Sequence, residues 1–158
     1  MSFAVSRREF LVVAGAAALA GGFVGVPGIG NARAATGTRN AGAFKARSWE
    51  AAYSSLGLPT PQPSSAILIN APDVADNGAS VPVDVSIRVP NARRLLLIGE
   101  RNSFPLLADI EFSRRAEPWF EARIKLAETS DVRAIVIADG KAYTASRRVR
   151  VIVGGCVG

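Results

Sequence analysis

Residues 81–89 read Val-Pro-Val-Asp-Val-Ser-Ile-Arg-Val, so an apolar side chain stands at every second position. Because the side chains of a β-strand point alternately to opposite faces, this spacing predicts a strand with one buried face. Pro82 has no backbone N–H, so we expect the start of this strand to lie at a sheet edge. The β-branched residues of such an edge are a candidate docking site for a partner.

Further short strands are predicted on both sides of this stretch. They fall at residues 66–70, 94–98, 106–112, 120–126, 132–138 and 141–153. Residues 132–138 are nearly all apolar, which is typical of a strand covered on both faces. Asp139-Gly140 is a dipeptide favoured in two-residue hairpin turns. About seven strands with this turn spacing predict an all-β, antiparallel β-sandwich, with a barrel as the alternative because pattern alone does not fix closure.

One helix is predicted ahead of the sheet, over residues 44–56. Apolar residues there approximate helical spacing, Gly57 would cap the C-terminus, and the prolines at 59, 61 and 63 prevent continuation. Trp49 and Tyr53 are expected to pack onto the sheet. Residues 35–63 are thus predicted to be an N-terminal helix with a proline-rich linker, and residues 64–153 to be the sandwich domain.

The composition excludes several classes of catalyst. The chain has 158 residues, with one Cys and no His. One Cys cannot form an intramolecular disulfide, and without His the commonest general base and the commonest metal ligand are missing. Zinc, blue-copper, Ser-His-Asp and Cys-His chemistry are therefore excluded unless a second protein supplies a group, and no metal site or other cofactor is expected.

The first 34 residues are predicted to be an export signal. Arg7-Arg8 precede Phe10-Leu11 and an uncharged apolar run over 11–26, and Ala32-Arg33-Ala34 resembles a signal-peptidase site. The paired arginines resemble the twin-arginine signal, with an ordinary secretory signal as the alternative. Sixteen apolar residues are fewer than the ~20 that span a bilayer, which disfavours a permanent anchor. The expected location is the periplasm of a bacterium.

The mature chain would begin near Ala35 and is mildly basic. Without residues 1–34 it keeps 16 basic and 12 acidic residues, a net charge of +4. These charges are interspersed, with no Lys/Arg stripe among aromatic residues, so nucleic acid is not an expected partner.

The chain ends in Gly154-Gly155-Cys156-Val157-Gly158. Glycines lose the most entropy on ordering, so residues 154–158 are expected to form a flexible arm. A lone Cys in an exported protein indicates a reactive or intermolecular thiol. At ~3.3–3.6 Å per residue, the five residues from Val151 to Cys156 carry the thiol roughly 17 Å beyond the sheet. Such an arm could enter the active-site cleft of another protein.

This terminus resembles the Gly-Gly-Cys-Gly-Gly terminus of the SoxY family, the sulfur carriers of bacterial thiosulfate oxidation. Two internal stretches are also similar to that family, Asn77-Gly78-Ala79-Ser80-Val81-Pro82-Val83 and Arg123-Ile124-Lys125-Leu126-Ala127-Glu128-Thr129. Asp139-Gly140, the strand from Arg148 to Val153 and the twin-arginine leader fit the same family. One residue departs from its pattern: Val157, β-branched and stiffer, stands where the family has Gly.

The resemblance implies an immunoglobulin-like fold and a carrier that is not an enzyme. Sulfur intermediates would be held covalently on Cys156. A SoxZ-like subunit would form a heterodimer with the chain. SoxAX, a haem enzyme, would load thiosulfate, SoxB would release sulfate, and other Sox enzymes would oxidise the remaining sulfane sulfur.

Arginines near the terminus are candidates for supporting this thiol. Arg148 and Arg150, in the cluster that begins at Arg147, could lower its pKa or hold anionic sulfur groups. The alternative is a solvated outer face of an edge strand. Arg114, Arg115 and Glu117 are interpreted as a polar hairpin or docking rim, and Asp139 as a turn residue. The aromatic residues are interpreted as core or subunit interface: Trp49, Tyr53, Trp119 and Phe120.

Two other functions remain open from the residues alone. An exported immunoglobulin-like adaptor would use the thiol to form a mixed disulfide with a partner. A thiol-based redox enzyme is disfavoured, because the chain has neither a resolving Cys nor a His.

Overall fold

The computed structural model describes residues 40–152. No helix in this part of the chain is long and apolar enough to cross a membrane. The predicted leader, residues 1–34, lies outside it. The helices are α1 (Ala41–Lys45) and α2 (Trp49–Ser54). The strands are β1 (Pro61–Pro63), β2 (Ile67–Asn70), β3 (Val74–Ala75), β4 (Val81–Ile87), β5 (Ala92–Gly99), β6 (Leu106–Glu111), β7 (Trp119–Ile124), β8 (Ser130–Ala138) and β9 (Lys141–Val151).

The strands form two sheets that pack face to face. The larger sheet has the order β1-β9-β8-β5-β6, with β3 also paired to β9, and the smaller sheet has the order β2-β4-β7. The core between them is built from alternate apolar residues of both sheets, including Val83 and Val85 of β4, Val132 and Val136 of β8 and Val149 of β9. The all-β sandwich predicted from the alternating pattern is confirmed, and the barrel alternative is not adopted.

The β8–β9 hairpin is the longest antiparallel ladder in the described residues. Its register runs from Ser130 opposite Val149 to Ala138 opposite Lys141. Asp139 and Gly140 form the two-residue turn with φ values of 48° and 72°. Positive φ at both positions gives a turn whose twist matches the flanking strands, as the Asp-Gly dipeptide predicts.

The other edge of β9 carries two short parallel strands that differ from the antiparallel prediction. β1 pairs with Ala142 to Thr144, and β3 pairs with Arg150 and Val151. Between them the chain crosses to the smaller sheet as β2. Part of the predicted linker, Pro61–Pro63, is therefore strand β1. Strands of two or three residues are too short to show a period in the sequence, and the prolines of β1 are not typical of a strand. They pair because the 11 residues of β9 offer a long unpaired edge.

The N-terminal region forms two helices where one over residues 44–56 was predicted. Ala46 has extended dihedral angles, φ −61° and ψ 146°, and ends α1. The Ser48 hydroxyl then accepts a hydrogen bond from the Ala51 N–H and caps α2. Gly57 takes the left-handed conformation after α2, with φ 62°, as expected for a residue that ends a helix.

The helices cover the outer face of the larger sheet. Tyr53 is 8% exposed and packs with Leu96 and Ile98 of β5 and Ile135 of β8. Trp49 packs against the same cluster, as predicted, and its ring lies 4.7 Å from the Arg133 guanidinium carbon. This second core explains why residues 132–138 are apolar on both faces.

The position of β4 corrects one prediction. β4 lies between β2 and β7, so residues 81–89 are not a sheet edge at which a partner could dock. The start of β4 nevertheless lies at an edge, as Pro82 predicted, because the pairing with β2 ends at Asn70 opposite Asp84. The start of β4 pairs only with β7, and the missing N–H of Pro82 falls on the unpaired side.

The contribution of the Tyr53 hydroxyl to the stability of the helical region can be tested. It donates a hydrogen bond to the Pro59 carbonyl, and burial raises the pKa of Tyr53 above its ordinary value. We expect Tyr53→Phe to lower the free energy of unfolding at pH 7 by about 1 kcal/mol. Because the folded state favours the neutral phenol, the wild-type advantage should be complete below pH 10 and shrink as the pH rises through the raised pKa.

Urea unfolding of both proteins from pH 7 to 11 measures this difference. Tyr143→Phe is the matched control, since the Tyr143 hydroxyl has no hydrogen-bond partner among residues 40–152. A difference between wild type and Tyr53→Phe that stays constant to pH 11 would contradict the assignment.

Candidate functional site

The candidate site begins where β9 ends. Its last residue, Val151, is followed by Ile152, which is 49% exposed. Val153 and the whole predicted arm (Gly154, Gly155, Cys156, Val157 and Gly158) lie outside the described residues. The structure therefore shows the base to which the arm is attached, and the predictions for the arm itself stay predictions.

Three backbone N–H groups at the end of β9 donate hydrogen bonds to two separate segments of the chain. Arg150 N–H donates to the Asp73 carbonyl and Ile152 N–H to the Ala75 carbonyl, each at 2.9 Å. Between them, Val151 N–H donates to the Thr129 hydroxyl at 3.1 Å. The chain is thus ordered by hydrogen bonds up to residue 152, four positions before the thiol, so the base of the arm has a fixed place at one end of the sandwich.

Gly78 packs under this end of β9. Its carbonyl accepts a hydrogen bond from the Leu126 N–H at 2.7 Å. A β-carbon at this position would lie 2.4 Å from the Leu126 carbonyl oxygen and 2.8 Å from a methyl carbon of Val151. Only glycine allows so close an approach. The sequence indicated a turn at Asn77-Gly78, but nothing in its pattern placed Gly78 or Thr129 against β9.

Arg148 and Arg150 lie on the outer face of β9, as the alternation predicted, and Val149 and Val151 face the core. Arg148 forms an ion pair with Asp131 at 3.1 Å, with 65% of its side chain exposed. Arg150 is exposed and its guanidinium has no ion-pair partner within residues 40–152. Of the two candidates, Arg150 is therefore the one whose charge is not already balanced.

Arg147 points the other way and has a structural role. Its Nε donates to the Ala71 carbonyl at 2.9 Å and its Nη2 to Asp73 at 2.8 Å. These contacts hold the segment that leads into β3, which in turn binds Arg150 N–H. The arginines of this cluster are close together in the sequence, but they are divided between the two faces of β9.

The remaining candidates separate into core, turn and exposed residues. Asp139 lies in the hairpin turn and accepts a hydrogen bond from Asn91 at 3.1 Å, which confirms its interpretation as a turn residue. Trp119 is 52% exposed, so it is not a core residue and its other interpretation, as subunit interface, stays a prediction, while Phe120 packs partly against the core. Arg114, Arg115 and Glu117 are exposed in the connection between β6 and β7. Within residues 40–152 no group of acidic side chains could hold a metal ion.

Comparisons with known proteins match this chain to one family. A family model described as "Sulfur oxidation protein SoxY" matches residues 53–156, more than half of the chain, and the match reaches Cys156. The chain belongs to the SoxY family. The resemblance predicted from the terminal motif is confirmed, and the chain is a protein of sulfur oxidation.

A solved SoxY has a similar fold. The sulfur carrier protein SoxY from Chlorobium limicola f thiosulfatophilum is 35% identical, with a TM-score of 0.60. The alignment covers 66% of this chain and 94% of that chain. No curated protein sequence matches at a significant level. The family match spans residues 53–156, so in this SoxY protein the end of β9 belongs to the part that is shared with the family.

The packing at Gly78 predicts a local effect on the base of the arm. Gly78→Ala should lower the free energy of unfolding by about 1–3 kcal/mol, because the added methyl group overlaps backbone that cannot move freely. Amide hydrogen exchange at Val151 and Ile152 should accelerate more than exchange in β5. Gly42→Ala in α1 is the matched control and should leave exchange at Val151 unchanged, so equal acceleration by both variants would contradict the role of Gly78.

Proposed function

We propose that this SoxY protein is a periplasmic sulfur carrier that holds thiosulfate-derived intermediates covalently on Cys156. The family match that extends through Cys156 is the observation that carries the proposal. The chain contains no second Cys and no His, so processing of the carried sulfur is assigned to other proteins. The carrier itself is proposed to be neither an enzyme nor a holder of a cofactor or metal.

The chemistry proposed for Cys156 starts from its thiolate. Thiolate and thiosulfate join through a new S–S bond to give a cysteine S-thiosulfonate, and two electrons leave to the haem of a SoxAX-type enzyme. Water then cleaves the S–sulfonate bond on a SoxB-type enzyme, which releases sulfate and a proton and leaves a cysteine persulfide. Further Sox enzymes would oxidise that sulfane sulfur and return the free thiol.

The end of β9 and the glycine arm would have different roles in such a carrier. The hydrogen bonds to Asp73, Ala75 and Thr129 fix where the arm leaves the sandwich. Beyond residue 152, the glycines are expected to let the thiol reach clefts in several partners. Val157 would restrict the arm directly after the thiol and so narrow the set of clefts that admit it. A SoxZ-like subunit is the proposed permanent partner, and the twin-arginine leader is the proposed route of export.

The mass of the protein tests covalent carriage. Protein isolated from cells oxidising thiosulfate should contain a fraction with S-thiosulfonate or persulfide mass, which reductant removes. Cys156→Ser should abolish both these masses and thiosulfate oxidation. A reducible intermolecular dimer with no sulfur adduct would favour the adaptor alternative, and intact thiosulfate oxidation in Cys156→Ser would refute the carrier.

The unbalanced charge of Arg150 predicts a second, smaller effect. At roughly 10 Å in water, one positive charge stabilises a thiolate enough to change its fraction about twofold. Arg150→Gln should therefore slow alkylation of Cys156 by iodoacetamide about twofold at pH 7 and low salt. Arg148→Gln should have less effect, because Arg148 lies two residues farther along β9 from the arm and electrostatic interactions weaken with distance.

Salt and a distant arginine provide the controls for this measurement. The effect of Arg150→Gln should vanish in about 1 M salt, where charges are screened over ~3 Å. Arg88→Gln, which removes an exposed arginine that follows β4, should leave the alkylation rate unchanged. Equal rates for all four proteins at low salt would exclude a supporting role for Arg150.

A further inference from the structure

The loop between β3 and β4 contains Asn77-Gly78, the only Asn-Gly pair in the chain. An asparagine side chain is most open to attack by the next backbone nitrogen when glycine follows, because glycine has no β-carbon to shield that nitrogen. Asn77 is exposed, so water reaches its side-chain amide. The pair therefore combines an accessible amide with an unshielded backbone nitrogen.

Hydrogen bonding leaves the reacting nitrogen atoms of this pair free. Asn77 Oδ1 accepts a hydrogen bond from the Ala79 N–H at 2.9 Å. Within residues 40–152, neither Asn77 Nδ2 nor the Gly78 N–H has a hydrogen-bond partner. If the Gly78 nitrogen attacked Asn77 Cγ, negative charge would develop on Oδ1, where the Ala79 N–H already donates. A donor placed at a developing oxyanion lowers the barrier to such an attack.

The other asparagines of the described residues lack this combination. In three of them the side-chain Nδ2 donates a hydrogen bond: Asn40, Asn91 and Asn102. Release of such an amide would leave its acceptor without a partner, which costs free energy. Asn70 forms no side-chain hydrogen bond in this part of the chain, but alanine follows it. Of these five asparagines, only Asn77 has a following glycine, a free Nδ2 and a backbone donor on Oδ1.

We propose that Asn77 is a site of spontaneous deamidation in the folded protein. The Gly78 nitrogen gives up its proton and attacks Asn77 Cγ, so an N–Cγ bond forms. The Cγ–Nδ2 bond breaks, and Nδ2 takes up a proton and leaves as ammonia. Water then opens the resulting cyclic imide at either carbonyl, which gives aspartate or isoaspartate. The reaction consumes one water and transfers no electrons, and the proposal does not depend on the chemistry of Cys156.

The packing of Gly78 gives this modification a structural consequence. The Gly78 carbonyl accepts a hydrogen bond from the Leu126 N–H at 2.7 Å, and a β-carbon on Gly78 would lie 2.8 Å from a methyl carbon of Val151. Isoaspartate inserts one extra carbon into the main chain directly before Gly78, in a place with no room for it. Gly78 is therefore displaced from the end of β9 in the isoaspartate form, whereas aspartate leaves the main chain unchanged.

Peptide mapping by mass spectrometry, after incubation of the purified protein at pH 7, 8 and 9, tests the reaction. Asn77 should convert at least as fast in the folded protein as in protein unfolded in guanidinium chloride, and its rate should rise about tenfold per pH unit because a base removes the Gly78 proton. Ala79→Pro lacks the N–H that binds Oδ1 and should slow conversion at least about tenfold. Ala79→Ser keeps that N–H and is the matched control.

Amide hydrogen exchange tests the consequence. The isolated isoaspartate form should exchange faster at Val151 and Ile152 than Asn77→Asp, which has the same charge and an ordinary main chain. Thermal unfolding checks that each variant is folded, and the comparison of folded with unfolded wild type needs no variant. The proposal is overturned if folding slows conversion of Asn77, if Ala79→Pro and Ala79→Ser convert at equal rates, or if the isoaspartate form exchanges like Asn77→Asp.

Discussion

β9 is the strand on which the rest of the molecule depends. It pairs with β8 along nine positions and offers its other edge to β1 and β3. Its inward residues, such as Val149 and Val151, belong to the core between the sheets, and Ala142 belongs to the core under the helices. β9 therefore contributes side chains to both cores and pairs with β1 and β3, the short strands before and after the crossing to the smaller sheet. The predicted arm would follow β9 in the chain, so β9 sets the place at which such an arm would leave the described residues.

This arrangement suits a protein that must hold a reactive group outside its own fold. The hydrogen bonds to Arg150, Val151 and Ile152 come from two separate segments, the one around β3 and the one that contains Thr129. Each segment is in turn held by other contacts, Arg147 to Asp73 and Gly78 to Leu126. A tether attached to such a base could move without loosening the sandwich, because the residues up to 152 are held by hydrogen bonds of their own. In the proposed carrier, the partners would recognise the sandwich and process the sulfur at the end of the tether.

Charge on the outer faces is distributed unevenly. Arg94 with Asp109 and Arg133 with Glu100 are half-buried ion pairs on the larger sheet, where the helices also pack. On the smaller sheet, Trp119 binds Asp84 through its indole N–H at 2.9 Å, and Glu121 and Arg123 remain exposed along the edge. These four charges of the larger sheet are paired and half-buried, whereas Arg150 of β9 and the Glu121 and Arg123 side chains of β7 are exposed to solvent.

Local pattern and single residue types were enough to predict four features: the alternating strands, the Asp139-Gly140 turn, the membership of the SoxY family and the lone thiol at Cys156. Features that depend on contacts between distant segments became visible only in the folded chain. It divided one predicted helix at Ala46 and Ser48, made strands of Pro61–Pro63 and Val74–Ala75, and placed β4 inside the smaller sheet. It also brought Gly78 and Thr129 against β9 and gave Arg148 a partner in Asp131. Periodicity reports which face of a strand is buried, but the choice of neighbouring strand and of ion-pair partner arises from packing across the whole chain.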